Sequence, residues 1–379
     1  MTGRAAVLGS ADVSDHDLCR MVAAQLGAAQ VEVTSSCAEV VPYDLEALTT
    51  GGRYWVRGTA RHDGAESPYA FFVKLVQSWA RSPVFAQVPE ELRDLALAGV
   101  PWQREPDVYR SDLGSRLPEQ LRLPTAFGVF DLDPLSAAVW LGVVEAEPVR
   151  WDLERHVEAA YLLGRLAASE AVAPLAALGA VPRPARTYAS GRVEHLVAPA
   201  LLGEDVWTHP LVAAAFDAEL RDRLRHALTR LPAFLDELDA MPIGTQHGDA
   251  CTRNLLVEPG RAGFVLIDFG FWGRGPLGFD LTQLLLGEVQ MGERSAAELP
   301  GLEAACVPAY VEGLRAEGTE VALGTVARAH ALLALLFTGL SAIPFEHLGE
   351  PVTDRLVQVA HGRAAAARFL LDLVDTTAS

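Results

Sequence analysis

The apolar and polar positions of residues 1–145 predict a short helix followed by a group of strands. Ser14 can cap the helix, and the apolar residues that share one of its faces are Leu18, Met21, Val22 and Leu26. The predicted strands are Ala38–Leu48, Tyr54–Ala60, Tyr69–Val76, Leu123–Phe130 and Ala137–Val144. Trp102–Leu113 has helical spacing instead. The pattern therefore predicts an N-terminal unit of five strands and one helix, preceded by an extra helix within residues 1–30.

Two polar, glycine-containing segments separate the first three predicted strands. Thr49-Thr50-Gly51-Gly52-Arg53 predicts a glycine turn between the first and second strands. His62-Asp63-Gly64 predicts a second turn before the third strand. Short turns of this kind join antiparallel neighbours, so we expect an antiparallel sheet.

From Trp151 onward the pattern becomes mainly helical. Leu153–Ala168 and Leu211–Leu238 carry apolar residues three to four positions apart. Leu255–Val257 and Phe264–Ile267 are short apolar pieces joined through Pro259-Gly260, which predicts a small hairpin. Helices return after residue 280 and continue to the end. We therefore expect an α+β chain with a sheet-containing lobe at 1–145 and a mainly helical lobe at 146–379.

Composition and charge narrow the class of protein. Half of the 379 residues are hydrophobic and 21% are charged, which is typical of a globular protein. The formal net charge of −18 disfavours nucleic acid and anionic membrane surfaces as partners and would attract a cationic small molecule. The four cysteines form no CxxC pair, so a reducing cytoplasm is the simpler setting. We see no secretory signal, and the apolar run Ala331–Pro344 is too short to span a bilayer and predicts a buried helix.

Polar residues at a particular spacing surround the predicted hairpin. His247-Gly248-Asp249 and Asn254 precede its first strand, and Asp268-Phe269-Gly270 follows its second strand. A hairpin would bring Asn254 and Asp268 together at its open end. Amide and carboxylate oxygens suit Mg²⁺, and a carboxylate beside a hydroxyl group can take its proton. The spacing therefore predicts phosphoryl transfer from ATP, with Asp249 as the base and Asn254 and Asp268 as metal ligands.

The same strings have a plainer interpretation. HGD alone can be a turn, and an acid at a strand end needs no catalytic role. The order, the spacing and the hairpin context together favour the site. His247 is expected to bond the backbone of the loop rather than to take part in the chemistry.

The segment Thr245–Leu284, QHGDACTRNLL…FVLIDFGFWGRGPLGFDLTQLL, resembles the aminoglycoside phosphotransferase family of small-molecule kinases. The resemblance implies the two-lobed protein-kinase fold, with Asp249 as catalytic base and Asn254 and Asp268 as magnesium ligands. Asp280 matches the family's Asp-Leu pair after the metal motif. From its sequence context, Asp280 with Gln283 predicts a helix N-cap box that supports the catalytic loop.

Lys74 and Glu105 are the predicted nucleotide-lobe pair. Lys74 lies within an apolar strand, where a lysine is costly to bury without an anion, and kinases use such a lysine to contact phosphates. The alternative is a lysine pointing outward from an edge strand. Glu105 is the partner that the resemblance implies, at the start of a helix because Pro106 follows it. A surface salt bridge is the alternative for Glu105, and Glu91 and Asp107 are further partner candidates.

Two more segments are assigned to the nucleotide. Gly51 and Gly52 would form the turn that covers the phosphates, although such glycine pairs also occur in ordinary hairpins. Glu145 and Ala146 follow the fifth strand and resemble the hinge whose backbone pairs with adenine.

The class of acceptor follows from what the chain lacks. About nine residues separate Gly270 from Asp280, too few for a protein-kinase activation segment, and Gly248 replaces the arginine of the HRD motif. Both features favour a small hydroxylated acceptor over a protein. A pseudokinase-like interaction module is a further alternative, which the presence of Lys74 and of all three motif residues disfavours.

The acceptor is expected to bind to the helical lobe. The predicted lining residues, each of which could equally be ordinary surface, are Trp272, Arg274, Phe345, Glu346 and His347. The acidic charge suits an aminoglycoside, and other antibiotics, amino alcohols and sugar-like compounds are also open, with antibiotic resistance as one setting. The donor is ATP or GTP with Mg²⁺. The protein is expected to be a monomer or a homodimer.

Overall fold

The computed structural model describes residues 3–42, 47–179, 181 and 183–378. The strands of the N-terminal half are β1 Glu32–Val40, β2 Thr50–His62, β3 Ala65–Gln77, β4 Leu121–Arg122, β5 Ala126–Asp133 and β6 Ser136–Gly142. All but β4 form one antiparallel five-stranded sheet in the order β1-β2-β3-β6-β5. The sheet and the helical half that follows confirm the predicted α+β, protein-kinase-like two-lobed fold.

The outer face of this sheet is covered by the N-terminal helices α1 Arg4–Leu8 and α2 Asp15–Leu26. Ser14 caps α2 as predicted, because its side chain accepts a hydrogen bond from the Asp17 amide at 3.1 Å. The buried residues that pack together between α2 and the sheet are Leu18, Met21, Val22, Val56, Phe71, Val73 and Trp140. The extra helix is thus an integral part of the first lobe.

The first strand and the glycine turn differ from the prediction. β1 begins at Glu32 and ends at Val40, whereas the predicted strand ran over 38–48, of which 43–46 lie outside the described residues. β1 is an edge strand with a mostly exposed burial pattern, so its sequence carries little apolar alternation. Gly51 and Gly52 lie in β2 and not in a turn, at an irregularity in the pairing with β3.

The predicted turn at Asp63 and Gly64 is confirmed. Both residues have positive φ, 49° and 78°, and they join β2 to β3 as a two-residue hairpin turn. Helical structure follows β3 as α3 Arg93–Gly99, α4 Arg104–Arg110 and α5 Leu113–Arg116. The predicted helix over 102–113 is therefore divided, because Ser111 is extended and its hydroxyl accepts from the Leu113 amide.

The C-terminal half is mainly helical. Its α-helices are α6 Leu153–Ala168, α7 Pro184–Tyr188, α8 Ala198–Leu202, α9 Asp205–Thr208, α10 Pro210–Ala213, α11 Ala218–Asp239, α12 Phe279–Gln290, α13 Leu299–Ala316, α14 Leu323–Ala334 and α15 Asp354–Thr376. Ala189–Val197 and Leu335–Gly339 are π-helical. α6 and α13 approach closely at two glycines, since a Cβ on Gly164 would lie 2.1 Å from the Tyr310 carbonyl oxygen. The predicted helix over 211–238 is interrupted before α11, where Asp217 caps the new helix by accepting from the Leu220 amide.

Short strands position the predicted hairpin beneath the first lobe. They are β7 Ile243–Gln246, β8 Leu255–Leu256, β9 Phe264–Leu266 and β10 Gly273–Pro276. β8 and β9 pair antiparallel, which confirms the hairpin, and β4 pairs parallel to β9. β7 pairs antiparallel to β10. Among the described residues, no helix combines the length and apolar character needed to cross a bilayer.

An irregular segment, residues 143–152, connects the sheet to α6. The Glu147 amide donates to the Val257 carbonyl oxygen at 2.8 Å, so this segment is fixed to the hairpin region. We propose the boundary between the lobes within this segment, at 145/146.

Candidate active site

The loop after β7 carries His247, Gly248 and Asp249 in a conformation that requires glycine at its centre. Gly248 has φ +87°, and a Cβ there would lie 2.0 Å from the Phe271 carbonyl oxygen. A side chain at this position would therefore meet both backbone strain and a direct clash. The close approach holds the loop against the segment that follows Asp268.

Asp280 holds this loop through two hydrogen bonds to its backbone. Its carboxylate accepts hydrogen bonds from the His247 amide at 2.9 Å and from the Gly248 amide at 2.8 Å. Burial raises the pKa of Asp280 to about 6. The predicted N-cap role is wrong, because α12 begins at Phe279 with Gly278 in the cap position, so Asp280 lies in the first turn.

His247 is a buried, neutral part of the loop. Burial lowers its pKa to about 4. Nε2 lies 3.0 Å from the Ile267 carbonyl oxygen and Nδ1 lies 3.3 Å from the Asp249 amide nitrogen. In the neutral ring Nε2 donates and Nδ1 accepts, which matches both contacts. The ring links the loop after β7 to Ile267 at the end of β9, and its contacts agree with the structural role expected from the sequence.

Asp249 and Asn254 are in direct contact. The Asn254 side-chain nitrogen donates to the Asp249 carbonyl oxygen at 2.9 Å and to the Asp249 carboxylate at 3.0 Å. Both amide hydrogens are thereby directed to Asp249, which leaves Oδ1 of Asn254 as an acceptor for another group. Burial and the nearby charge of Asp268 raise the pKa of Asp249 to about 6, a value suited to a proton acceptor near neutral pH.

Asp268 follows β9 with a positive φ of 65°, which is uncommon for a residue other than glycine. The backbone bond from the Ile267 amide to the Asn254 carbonyl oxygen, 3.1 Å, brings these two segments together as the hairpin predicted. The carboxylate lies 3.1 Å from Lys74 Nζ and 3.7 Å from Arg53 Nη2. Although burial opposes it, these two cations lower the pKa of Asp268.

Lys74 is the link between the two lobes. Its ammonium group lies 2.9 and 2.7 Å from the two carboxylate oxygens of Glu105, and both side chains are buried. β3 is a central strand, so Lys74 does not point outward from a sheet edge. Glu105 lies in the first turn of α4, where Pro106 is tolerated. Burial opposes the charged form, but Asp268 and Glu105 raise the pKa of Lys74.

The other carboxylates considered for this lysine lie elsewhere. Asp107 pairs with Arg110 at 3.2 Å, and Glu91 lies in a short 3₁₀ turn. Glu105 is therefore the partner that the structure brings to Lys74.

The donor set at the open end of the hairpin fits a magnesium ion. Asp268 offers a carboxylate that is about a third exposed, 31%, and Asn254 offers an amide oxygen whose own nitrogen is already bonded. Hard oxygen donors of this kind suit Mg²⁺. In the described ranges, no three His, Cys, Asp or Glu side chains gather as a metal cluster, so the set depends on the amide as well.

The two segments that were expected to bind the nucleotide lie in β2, at Gly51 and Gly52, and in the connecting segment, at Glu145 and Ala146. Gly51 lies close to β3, because a Cβ there would be 2.7 Å from Gln77 Oε1. Glu145 and Ala146 are exposed in the connecting segment, where the Ala146 amide donates to the Val144 carbonyl oxygen at 3.0 Å.

One predicted acceptor residue is misplaced. Trp272 is fully buried, its indole nitrogen donates to the Leu175 carbonyl oxygen at 2.9 Å, and its ring packs edge-to-face on Phe269. It is therefore a core residue and cannot line an open pocket. Its position directly after the motif suggested proximity, but its ring is turned inward just before β10 begins.

The remaining predicted lining residues lie at or near the surface. Arg274 is exposed in β10. Phe345, Glu346 and His347 form a short 3₁₀ turn, in which Glu346 pairs with Arg363 and His347 contacts Glu350 at 2.8 Å.

Sequence reasoning missed two basic residues beside the site. Arg53 contacts Asp268, as described above. Arg104 is buried beside Glu105, and its guanidinium group donates to the carbonyl oxygens of Gly270 and Gly179. Arg53 directly follows Gly52 and Arg104 directly precedes Glu105 in the sequence. This proximity along the chain was the only feature by which the sequence could have indicated them.

The fold, the lysine–glutamate pair and the hairpin define a kinase-like class of protein. The model of the phosphotransferase enzyme family, APH, matches residues 152–317. This match confirms the resemblance to aminoglycoside phosphotransferases that the motifs predicted, and it supports the broader class of small-molecule phosphotransferases. No curated protein sequence matches the chain.

Solved structures with a similar fold include three kinases of small molecules. Amicoumacin kinase hAmiN, in complex with AMP-PNP and Ca²⁺, is 12% identical, with 89% of this chain and 88% of that chain covered and a TM-score of 0.45. The GDP complex of aminoglycoside 2'-phosphotransferase-IIIa is 14% identical, with 96% and 98% covered and a TM-score of 0.45. Plasmodium vivax ethanolamine kinase is 11% identical, with 88% and 82% covered and a TM-score of 0.47.

Proposed function

We propose that the protein is a magnesium-dependent phosphotransferase that moves the γ-phosphoryl group of ATP or GTP to a hydroxyl group of a small molecule. The observation that carries this proposal is the convergence of four side chains from both lobes at one place. Lys74 reaches Asp268, and Asn254 joins the Asp268 segment to Asp249. Phosphoryl transfer requires a held metal, a positioned triphosphate and an oriented acceptor, and these residue types supply all three.

Each residue has a role that follows from its contacts. Asp249 orients the acceptor hydroxyl group and receives its proton as the acceptor oxygen bonds to the γ-phosphorus. The bond from that phosphorus to the bridging oxygen breaks, and the nucleoside diphosphate leaves with the oxygen. Lys74, held by Glu105, contacts the phosphates. Asp268 and Asn254 hold Mg²⁺, which supplies charge neutralisation on the phosphate oxygens.

Glycine and the hinge complete the nucleotide site in this proposal. Gly51 and Gly52 allow the backbone to approach the phosphates, and the backbone at Glu145 and Ala146 meets the base. His247 and Asp280 hold the catalytic loop in place.

A small acceptor fits the segment after Asp268 better than a protein acceptor. Residues 273–276 form β10, which is paired with β7, so this short stretch is part of a sheet. A regulated activation segment has no room between Gly270 and α12. In addition, Gly248 stands where protein kinases have the HRD arginine, which contacts a phosphate on the activation segment.

The net charge of −18 favours a cationic acceptor. Aminoglycosides, other antibiotics, amino alcohols and sugar-like compounds with amino groups are the classes we propose to test. Antibiotic resistance is one biological setting that this function would serve. We further propose a cytoplasmic monomer or homodimer, which would give the enzyme access to ATP.

The test is a screen of hydroxylated compounds with ATP or GTP and Mg²⁺, read by mass spectrometry. We expect one compound class to gain the mass of a phosphoryl group, and the Asp249→Ala variant to give no such product. Phosphorylation of proteins in the absence of any small-molecule product would favour the protein-kinase alternative. Nucleotide binding without any transfer, equal in both proteins, would favour an interaction module.

A further inference from the structure

Arg53 is directly opposite Lys74 in the sheet. The two residues pair across β2 and β3, next to the position where the pairing becomes irregular at Gly52. Side chains of directly opposed residues on antiparallel strands point to the same face of the sheet. The Arg53 side chain therefore projects toward the cleft beside Lys74.

The surroundings of Arg53 confirm this direction. Its guanidinium nitrogen Nη2 lies 3.7 Å from Asp268 Oδ2, and its side chain is 15% exposed. Its positive charge, after that of Lys74, contributes to the lowered pKa of Asp268, and it opposes the rise in the pKa of Lys74, so it acts electrostatically on the centre of the site. Arg53 thus reaches from the glycine segment of the first lobe to the metal segment of the second.

The charged groups around Arg53 would attract a polyanion once a metal ion is bound. Arg53 and Lys74 both lie beside the Asp268 carboxylate, at 3.7 and 3.1 Å. In the proposed function Asp268 would offer its oxygens to a divalent cation. Two side-chain cations and the metal ion would then lie close together, and a triphosphate placed among them would be attracted by all three.

We propose that Arg53 is a second phosphate-binding cation, whose guanidinium group contacts the oxygens of the nucleotide triphosphate beside Lys74. This inference rests on the proposed function, since it concerns the same nucleotide. A guanidinium group matches phosphate oxygens in a two-pronged arrangement, which an ammonium group cannot reproduce.

The plainer alternative is that Arg53 only neutralises Asp268. In that role the loss of Arg53 would alter ATP binding only through Asp268 and the metal ion that it would hold. The two roles therefore differ in one measurable respect, the effect of Arg53→Gln on ATP affinity when Mg²⁺ is absent.

The test is calorimetric titration of the full chain with ATP, ADP and adenosine, both with Mg²⁺ and with EDTA. The variants are Arg53→Gln, Arg53→Lys and, as matched control, Arg61→Gln on the same strand, where Arg61 makes an exposed pair with Glu32 at 3.1 Å. We expect Arg53→Gln to weaken ATP binding by about tenfold to a hundredfold. Adenosine binding should be unchanged, Arg53→Lys should be intermediate, and Arg61→Gln should match the wild type.

Two results would overturn the inference. In EDTA, an ATP affinity of Arg53→Gln equal to that of the wild type would reduce Arg53 to a partner of Asp268. An equal loss for ATP and adenosine would show a distorted sheet instead of a lost phosphate contact. Failure of the wild-type protein itself to bind ATP is a separate outcome, because it would refute the proposed function before any variant is compared.

Discussion

Asp249 accepts two hydrogen bonds from one side chain, that of Asn254. The Asn254 amide group contacts both its backbone oxygen and its carboxylate, which fixes the carboxylate relative to the hairpin. Asn254 in turn keeps its own oxygen for a further partner. One short loop therefore sets the distance between the proposed base and the proposed metal.

The Asp249→Asn variant distinguishes an effect on the phosphoryl-transfer step from an effect on nucleotide binding. The Asn side chain has nearly the same shape and retains an oxygen toward Asn254, but it cannot accept the proton. We expect kcat to fall by about a hundredfold to ten-thousandfold, with the nucleotide Kd nearly unchanged. Steady-state kinetics and nucleotide titration measure the two quantities. Unchanged turnover would remove Asp249 as the base.

Asp268→Ala addresses the metal. The carboxylate is the charged member of the proposed ligand pair, so its loss should abolish the magnesium dependence of nucleotide binding. The measurement is an ATP titration with Mg²⁺ and with EDTA. Asp133→Ala, which removes an acid paired with Arg81 in β5, is the control and should keep the full dependence. A variant at 268 that still binds ATP better with Mg²⁺ would contradict the assignment.

The sequence predicted the position of site residues well where those residues are close together along the chain. Asp249, Asn254 and Asp268 belong to one hairpin, so their proximity follows from the short distance along the chain. Arg53 reaches the site through pairing with β3, which spacing alone does not reveal. Trp272 was misplaced because the sequence does not show to which side of the chain its ring turns.

The helix α4 joins three parts of the molecule. Glu105 binds Lys74 of the sheet, while Arg104 donates to the Gly270 carbonyl oxygen at 2.9 Å and twice to the Gly179 carbonyl oxygen at 3.0 and 2.8 Å. Burial lowers the pKa of Arg104 to about 10. Within the described ranges no carboxylate pairs with it, so its guanidinium group serves backbone oxygens only.

Arg104→Lys should loosen this connection. A lysine cannot make the forked bonds to both carbonyl oxygens, so we expect the free energy of unfolding to fall by about 2 kcal/mol. Because Glu105 and Gly270 lose their shared support, kcat/KM should fall by about tenfold, and the loss should persist at temperatures where the variant is fully folded.

The control for Arg104 is Arg110→Lys in the same helix, at an exposed pair with Asp107 and Asp131. We expect kcat/KM and the stability to thermal unfolding of this control to be close to those of the wild type. A variant at 104 that loses stability but retains full kcat/KM would limit Arg104 to a packing role.

Elements with strong periodicity were predicted best. The bounds of α6 agree with the prediction because its apolar stripe is continuous and Asp152 caps its start. The helix predicted over 211–238 failed at its beginning, since Ala215 and Phe216 are buried and continue the apolar spacing through the break. β1 failed because an exposed edge strand has no buried face to mark it.

Two clusters of buried side chains organise the whole molecule. One lies between the N-terminal helices and the outer face of the sheet, and the other extends from the inner face of the sheet through the helical lobe. The order of strands first and helices afterwards made the two-lobed class predictable from the sequence. How the lobes meet was not predictable, because it depends on contacts between distant segments such as Lys74 with Asp268.

Buried histidines make the stability of this large second cluster sensitive to acid. His330 of α14 is 1% exposed, and burial lowers its pKa to about 4 from an ordinary 6.5. Between these values the unfolded chain binds a proton that the folded protein does not. Stability is therefore complete above about pH 6.5 and is lost as the pH falls toward 4.

His330→Gln should flatten this dependence. A depressed pKa of this size makes the wild type about 2 kcal/mol less stable at pH 5 than at pH 8 through His330 alone. The variant should be less stable at pH 8 because of altered packing, but its change between the two pH values should be smaller by about that amount. Denaturant unfolding at both pH values measures this. His361→Gln, at an exposed position, is the control. If His330→Gln shows the same change in the free energy of unfolding between pH 8 and pH 5 as the wild type, the argument is contradicted.

The crowded backbone at Gly248 also constrains how this chain can evolve. Its positive φ and the carbonyl oxygen 2.0 Å from a would-be Cβ exclude arginine at that position without a rearranged loop. A descendant of this protein could therefore gain an arginine next to Asp249 only together with a second change that moves the loop away from Phe271.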